Sequence, residues 1–295
     1  ASLAERLGKD AGLFVPSGTQ SNLLAMLAHC GRGEEVISGE SYHVIRYEAA
    51  GASVLGGVAL HALPVAADGA VEATEVTAAV KEDDSHHAIS RLLSLENTNY
   101  GAAIPLPRIT ASVEAGRAAG LNLHLDGARF FNAITALGCS ETDLAGPFDS
   151  VSVCLSKGLG APVGSVLLGP RDLINSARRM RKMLGGGMRQ AGVLAAAGLF
   201  ALDNNVTRLG DDHARAEAFA AHLRALGVGE VTQATNMMFL TPRAGLDLSI
   251  LPSEGLPMSA LEPSLRMVFH RDIDDVASDP ILRASPLVAE RSAAA

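Results

Sequence analysis

Cysteine is scarce in this chain: Cys30, Cys139 and Cys154 are the three it contains, scattered and without CxxC spacing. That argues against a disulfide framework and a cysteine zinc site, and the expected home is the reducing cytoplasm. Long apolar runs are lacking as well. The longest, residues 191–202, has about 12 residues against the roughly 20 needed to span a bilayer, so no membrane segment is expected. Basic charge is outnumbered, with Lys and Arg totalling 24 against 32 Asp and Glu, a formal net charge of −8. Nucleic acid is given no general electrostatic reason to bind. The opening "ASLAERLGKD" lacks the apolar core of a secretory signal. It reads as the middle of a helix without cap or initiator methionine, so residues upstream are expected to be missing. There is no internal repeat, and no low-complexity segment beyond an alanine bias.

What is present is a globular composition. Of 295 residues, 48% are hydrophobic and 19% charged, enough apolar surface to offset chain entropy. That length suits one large domain, alone or with a small appendage. Alternating or short apolar runs recur at residues 35–37, 58–64, 91–95, 121–125, 151–155 and 163–168. Helical patterns at 74–80, 107–119 and 130–137 lie between them, and strands alternating with helices predict a mainly parallel sheet covered on both faces. The second half changes character. Residues 171–183 read as a basic helix, Gly185-Gly186-Gly187 breaks it, and 190–202 follow as a helix apolar on nearly every side, expected to be buried. A long amphipathic helix is predicted at 206–226, then strands at 236–240 and 265–269, with little regular helix around Pro252, Pro257 and Pro263. The expected class is α/β, with a large domain over 1–205 and a small α+β C-terminal domain over 206–295.

In open α/β sheets ligands sit beyond the carboxyl ends of the strands. The residues just past each predicted strand are Ser17, Gly18 and Thr19; Glu96, Asn97 and Thr98; Asp126, Gly127 and Arg129; and Ser156 and Lys157. In "SGTQSN" a helix begins, and its free N–H groups and dipole favour an anion, although Ser17 or Thr19 equally serves as an ordinary cap. Asp126 in "LHLDGARFF" ends an apolar strand and should be desolvated, so it needs a partner. Arg129, or a protonated ring nitrogen of a cofactor, would supply one. Lys157 ends a run that reads as buried, and desolvation there would favour the neutral amine that imine formation requires. An anion site, a carboxylate and an amine on one rim are the three requirements of pyridoxal phosphate.

The stretches "PSGTQSNLLAMLAHCGRGEEVI", "SLENT", "HLDGARFFNA", "CLSKGLGAPVGSVLLG" and "RKMLGGGMRQAGVLAAAGLFAL", in this order, closely resemble the low-specificity L-threonine aldolases. The likeness covers roughly residues 1–242 and returns at "LRMVFHRDID". It implies the aspartate-aminotransferase fold, type I among pyridoxal 5'-phosphate enzymes, and retro-aldol cleavage of threonine or allo-threonine to glycine and acetaldehyde. It further implies that Lys157 holds the cofactor covalently beside Ser156, that Asp126 meets the ring nitrogen, and that Gly18 and Thr19 bind the phosphate. By the same likeness His43 stacks on the ring, His86 lies near the substrate hydroxyl, and Arg129 and Arg266 serve the ring oxygen and the substrate carboxylate. Lys182 and Arg189 would reach a neighbouring subunit's site in a homodimer or homotetramer. Where the family has "ENTH" this chain has "ENTN", with Asn99. The proton acceptor for the β-hydroxyl is left open between His43, His86 and a water. So are β-elimination or racemisation on the same cofactor, and a non-catalytic remnant of the fold.

Overall fold

Five strands of the first half run parallel: β2 (Glu34–Gly39), β3 (Ala59–Leu63), β4 (Ile89–Glu96), β5 (Asn122–Gly127) and β6 (Ser150–Cys154). Two more complete a sheet of order β1-β7-β6-β5-β4-β2-β3, with β1 spanning Ala11–Val15 and β7 spanning Ser165–Gly169. β7 is antiparallel to both of its neighbours. The reason is local: residues 155–164 between β6 and β7 are fewer than the dozen or so a parallel crossover needs, so the chain turns back beside the strand it has left. The computed structural model describes residues 1–244, 259–261 and 264–273, and the chain divides into two compact units, Ala1–Val206 and Thr207–Ala295.

The helices of the first unit are α1 (Ser2–Arg6), α2 (Gly18–His29), α3 (His43–Arg46), α4 (Ala73–Ala79), α5 (Leu106–Ala118), α6 (Phe130–Leu137), α7 (Glu141–Ala145), α8 (Arg171–Met183) and α9 (Gly192–Asn204), with a π-helical turn at Ala52–Gly56. All but the short α3, α7 and the π turn fall on helical patterns of the sequence. Ser17 caps α2, its side chain accepting the Gln20 N–H at 3.1 Å, which satisfies one of the helix's orphan donors. The connection from β1 to β2 carries α2 across the sheet, against β1, β7, β6, β5 and β4. Leu24 and Ala25 of α2 then pack with Leu13, Val15, Leu167, Ile174 and Ala177 in one buried cluster. Each large aliphatic side chain there contributes about 1.5–3 kcal/mol by leaving water. Ser21 and Asn22 are buried on the same helix, so α2 brings polar groups as well as apolar ones against the sheet.

One expectation from the sequence is overturned here. The apolar helix at 190–202 forms as α9, but within this chain only Gly198, Ala201 and Leu202 are buried, while Val193 is 76%, Leu199 45% and Phe200 60% exposed. An apolar periodicity on every side demands cover, and a single chain provides it on one side alone.

In the second unit, α10 (Leu209–Leu226) lies against an antiparallel sheet of order β10-β11-β9-β8. The strands are β8 (Gly229–Ala234), β9 (Met237–Pro242), β10 (Ser259–Leu261) and β11 (Ser264–Val268). Ala216, Phe219, Ala220 and Leu223 of the helix pack on Val228, Met238, Leu240, Met267, Phe269 and Ile273. β8, "GEVTQA", is an edge strand too polar to stand out in the sequence. Pro252, Pro257, Pro263 and the C-terminal tail lie outside the described residues.

Candidate active site

The carboxyl edge of the sheet collects the acidic residues. In the β4–β5 register Glu96 stands opposite Asp126, and in the β5–β6 register Asp126 stands opposite Ser152. Neighbouring positions in register share a face of the sheet, so His124 and Asp126 project on the same side as Ser150 and Ser152. Asp126 is 3% exposed. Its Oδ1 accepts the Ala128 N–H at 3.0 Å and its Oδ2 accepts from Asn22 Nδ2 at 2.7 Å. Gly127, next in the strand, must be glycine, because a Cβ there would come within 2.6 Å of the Ser152 carbonyl oxygen.

His43 opens α3 just past β2. Its backbone N–H donates to Glu96 Oε2 at 2.6 Å, and its ring Nδ1 pairs with Glu48 Oε1 at 2.8 Å. The hydrogen bond to Glu48 raises the proton affinity of His43 above its ordinary value. Burial opposes this, and the charges of Glu48 and Asp126 add to it while Lys157 subtracts. Glu48 is itself raised by burial, and Glu96 is pushed up to about 7 by burial and then by the charge of Asp126. Glu48 is aimed inward by a costly turn: Ala49 and Ala50 follow it with φ of 51° and 53°, a left-handed conformation disfavoured for residues other than glycine. Replacing Glu48 with glutamine is therefore expected to lower the pH at which His43 titrates, which its imidazole proton resonances report directly.

Beneath this rim runs a buried polar chain. Asn22 Nδ2 also donates to Glu48 Oε1 at 2.8 Å, and Asn22 Oδ1 lies 3.3 Å from His124 Nε2. His124 Nδ1 meets Ser150 Oγ at 2.7 Å, and Ser150 Oγ meets His29 Nε2 at 2.8 Å.

At the other end of the rim, α2 presents the N–H groups of Gly18 and Thr19 with its dipole. Ser165 Oγ, fully buried and without a hydrogen-bond partner among the described residues, lies 3.7 Å from where a Gly18 Cβ would stand. The glycine turn after α8 packs on the first turn of α2, where a Cβ on Gly186 would fall 2.0 Å from Gln20 Oε1. Lys182 and Arg189 flank that turn, and both are exposed.

The residues expected at the site separate into three groups. Asp126 lies at the carboxyl end of β5, Gly18, Thr19, His43, Arg129, Ser156 and Lys157 follow carboxyl strand ends, and Lys157 is close enough to influence His43 electrostatically. Lys157 is exposed, however, contrary to the burial expected of it. β6 ends at Cys154, Leu155 takes the last buried position, and Ser156 and Lys157 extend beyond the sheet. His86 is not brought to this rim. It lies on an exposed turn before the amino end of β4, its side chain 85% exposed and its Nδ1 2.6 Å from Asp84 Oδ1. An acidic turn that can hold the ring locally outweighs any pull toward the sheet's far edge. Arg266 sits on β11 of the second unit, paired in register with Phe239. Sequence reasoning missed Asn22, Glu48 and His124. The readable signal was the serine and histidine at alternate positions of "SVSVC" and "NLHLDG", polar residues recurring on one face of strands otherwise wholly apolar.

A mainly parallel sheet with one antiparallel strand, whose carboxyl edge gathers an aspartate, a histidine and a lysine, is the architecture of the type I pyridoxal-phosphate fold. The chain belongs to the beta-eliminating lyase family, whose profile matches residues 1–244, and within it to the low-specificity L-threonine aldolases. It is 46% identical over 274 residues to the low specificity L-threonine aldolase of Escherichia coli, covering 92% of this chain and 82% of that one. It is 43% identical over 287 residues to low-specificity L-threonine aldolase 1 of Arabidopsis thaliana, covering 92% and 80%. Among solved structures, Leishmania major threonine aldolase superposes with a TM-score of 0.80 at 21% identity, covering 99% of this chain and 86% of that chain, a likeness of fold.

Proposed function

We infer that this chain is a pyridoxal-phosphate-dependent L-threonine aldolase, cleaving L-threonine and L-allo-threonine between Cα and Cβ to glycine and acetaldehyde. The observation that carries the reading is the meeting of buried Asp126, the His43–Glu48 pair and Lys157 at one strand-end rim, in a chain of this family. The donor set fits the cofactor. Ser165 Oγ and the first N–H groups of α2 form a cradle for a phosphate, Asp126 is a buried carboxylate suited to a protonated ring nitrogen, and Lys157 offers an amine. When bound, pyridoxal phosphate supplies a ring that accepts the electron pair released at Cα.

The protein's own groups do the rest. Gly18 and Thr19 would hold the anion, with Arg129 near the ring oxygen, and Lys157 beside Ser156 would offer its amine to the aldehyde carbon. Asp126 keeps the proton on the ring nitrogen. Glu48 occupies His43 Nδ1, which leaves Nε2 to receive the β-hydroxyl proton, directly or through a water it orders, as the Cα–Cβ bond breaks and the Cβ–O bond becomes a carbonyl. The exposed place of His86 supports leaving it out of the proton transfer.

The reading includes a homodimer or homotetramer in which Lys182 and Arg189 of one copy serve another's site. Its support is the uncovered apolar surface of Val193, Phe200 and Met183, the last 74% exposed, beyond what a monomer leaves bare without reason. Phe200→Asp is expected to weaken self-association about 30-fold or more, the scale of an aromatic hot spot, as read by sedimentation. The cytoplasm is the proposed location. Three free cysteines support it, the buried Cys30 thiol pushed up to about 12. No helix among the described residues is long and apolar enough to cross a membrane.

The deciding experiment is product analysis. Purified protein given L-threonine is expected to release acetaldehyde and glycine in equal amounts. Ammonia with a 2-keto acid would replace aldol cleavage by elimination, and no product from any β-hydroxy amino acid would overturn the enzyme reading.

A further inference from the structure

Asn22 lies on the buried face of α2, 1% exposed, where a carboxamide is costly unless its groups are bonded. The donors and acceptors around it point to the following assignment, in which Ser152 Oγ also lies 3.4 Å from His124 Nε2. Asp126 Oδ2 and Glu48 Oε1 are carboxylate acceptors at 2.7 and 2.8 Å, so Nδ2 must face them with both of its hydrogens. Oδ1 is then the acceptor toward His124, whose Nε2 carries the hydrogen. His124 Nδ1 is left to accept from the Ser150 hydroxyl, and Ser150 accepts from His29 Nε2. Burial keeps both rings uncharged, moving His124 down to about 3 and His29 to about 4. The chain from His29 to the rim is therefore a line of dipoles with every donor pointing toward the carboxylates.

Those carboxylates are crowded. The nearest ligating atoms of His43, Glu48 and Asp126 lie within 4.8 Å of one another, and Glu96 stands beside Asp126 in the sheet register. Two buried carboxylates this close repel one another unless donors lie between them. We propose that Asn22 is a positioning residue for the reaction: held in one orientation by His124, it divides its two amide hydrogens between Asp126 and Glu48 and so sets from one side chain both the ring-nitrogen partner and the orientation of His43. This rests on the cofactor reading above. Loss of the amide would raise Glu48 further, since the Asn22 hydrogen bond is one of the contacts that lower it, and a protonated Glu48 holds the His43 ring less firmly.

The test begins with the full-length wild-type chain, with the cofactor bound and with it removed. Nitrogen-15 NMR is expected to show His124 as the Nε2–H tautomer, unchanged through the neutral range; the Nδ1–H tautomer overturns the assignment. Asn22→Leu keeps the volume and removes both donors. In that variant Glu48 is expected to hold its proton to a higher pH than in wild type, because the Asn22 hydrogen bond no longer lowers it, read by carboxyl carbon-13 shifts. Its kcat should fall about 10- to 100-fold, the scale of a small misplacement, with little change in KM. Asn22→Asp regains one donor only when its own carboxyl is protonated, so its activity relative to wild type should climb as pH falls. Wild-type carboxyl titration in Asn22→Leu, or equal losses at every pH in both variants, would show a packing role and overturn the proposal. Should Asn22→Leu not fold, the tautomer and the Asn22→Asp profile decide. A chain that binds no cofactor would sink the reading above while leaving the tautomer and titration results intact.

Discussion

Lys157→Ala is expected to lower threonine cleavage by about 10³-fold or more, the scale on which loss of a nucleophile or base is felt, and to abolish the visible absorbance of covalently attached cofactor. The fold gives no reason for the variant to lose stability. Lys157 is exposed beyond the end of β6, and its side chain makes no hydrogen bond or ion pair among the described residues, while its backbone carbonyl accepts the Gly160 N–H at 2.9 Å, so truncating the side chain uncovers no buried partner. Circular dichroism and the thermal midpoint should stay at wild-type values while turnover disappears. A retained visible band, or turnover within tenfold of wild type by the order-of-magnitude reckoning used for catalytic groups, would remove Lys157 from the chemistry.

Asp126→Asn should cost about 10²–10³-fold in kcat, comparable to removing one preorganised electrostatic partner in a water-excluded site. The substitution keeps shape and burial but puts an amide where, on the proposed reading, the ring-nitrogen proton would be held. It also alters the polar chain, because Asn22 Nδ2 now faces an amide in place of a carboxylate oxygen. Cofactor should still bind through the α2 cradle and Lys157, with weaker affinity, so the loss should fall on kcat more than on KM. Equal activity in Asp126→Asn and wild type would contradict an electron-accepting ring held protonated by this residue. In the free protein the same variant removes one of the charges that raise His43, so the histidine should titrate at lower pH than in wild type. The protonated, Glu48-paired form of His43 that is present below that pH would then be lost earlier as pH rises.

Much of the fold was legible residue by residue. The alternating runs became β2 through β7, Ser17 became the cap of α2, and Asp126 emerged desolvated at a strand end. Each of these is a local matter, decided by spacing within a few residues. His43 and Lys157 were reached through a family likeness, and their sequence neighbourhoods alone did not distinguish them from ordinary turn residues. Asn22 and Glu48 were not legible, and the alternation in "NLHLDG" gave His124 a face but no partner. Asn22 is a polar residue inside a helix, Glu48 follows a tyrosine in a short irregular stretch, and His124 is one of nine histidines. Nothing near any of them announces that one amide will meet partners 26, 104 and 102 residues away.

By itself the amino-acid order determined that this chain makes a covered, mainly parallel sheet with helices between its strands, because burial of alternating apolar positions has few other solutions. It also determined which residues stand at strand ends. The tertiary structure alone decided which of them meet. The β6–β7 turn sets one strand antiparallel, the β1–β2 connection carries α2 across the sheet, and that crossing lays Asn22 between two carboxylates. The fold also left Phe200 bare and His86 at the far end of β4. The physical reason is that periodicity specifies a face for each residue, whereas the identity of its neighbours depends on strand order, and strand order is settled by packing the whole chain at once.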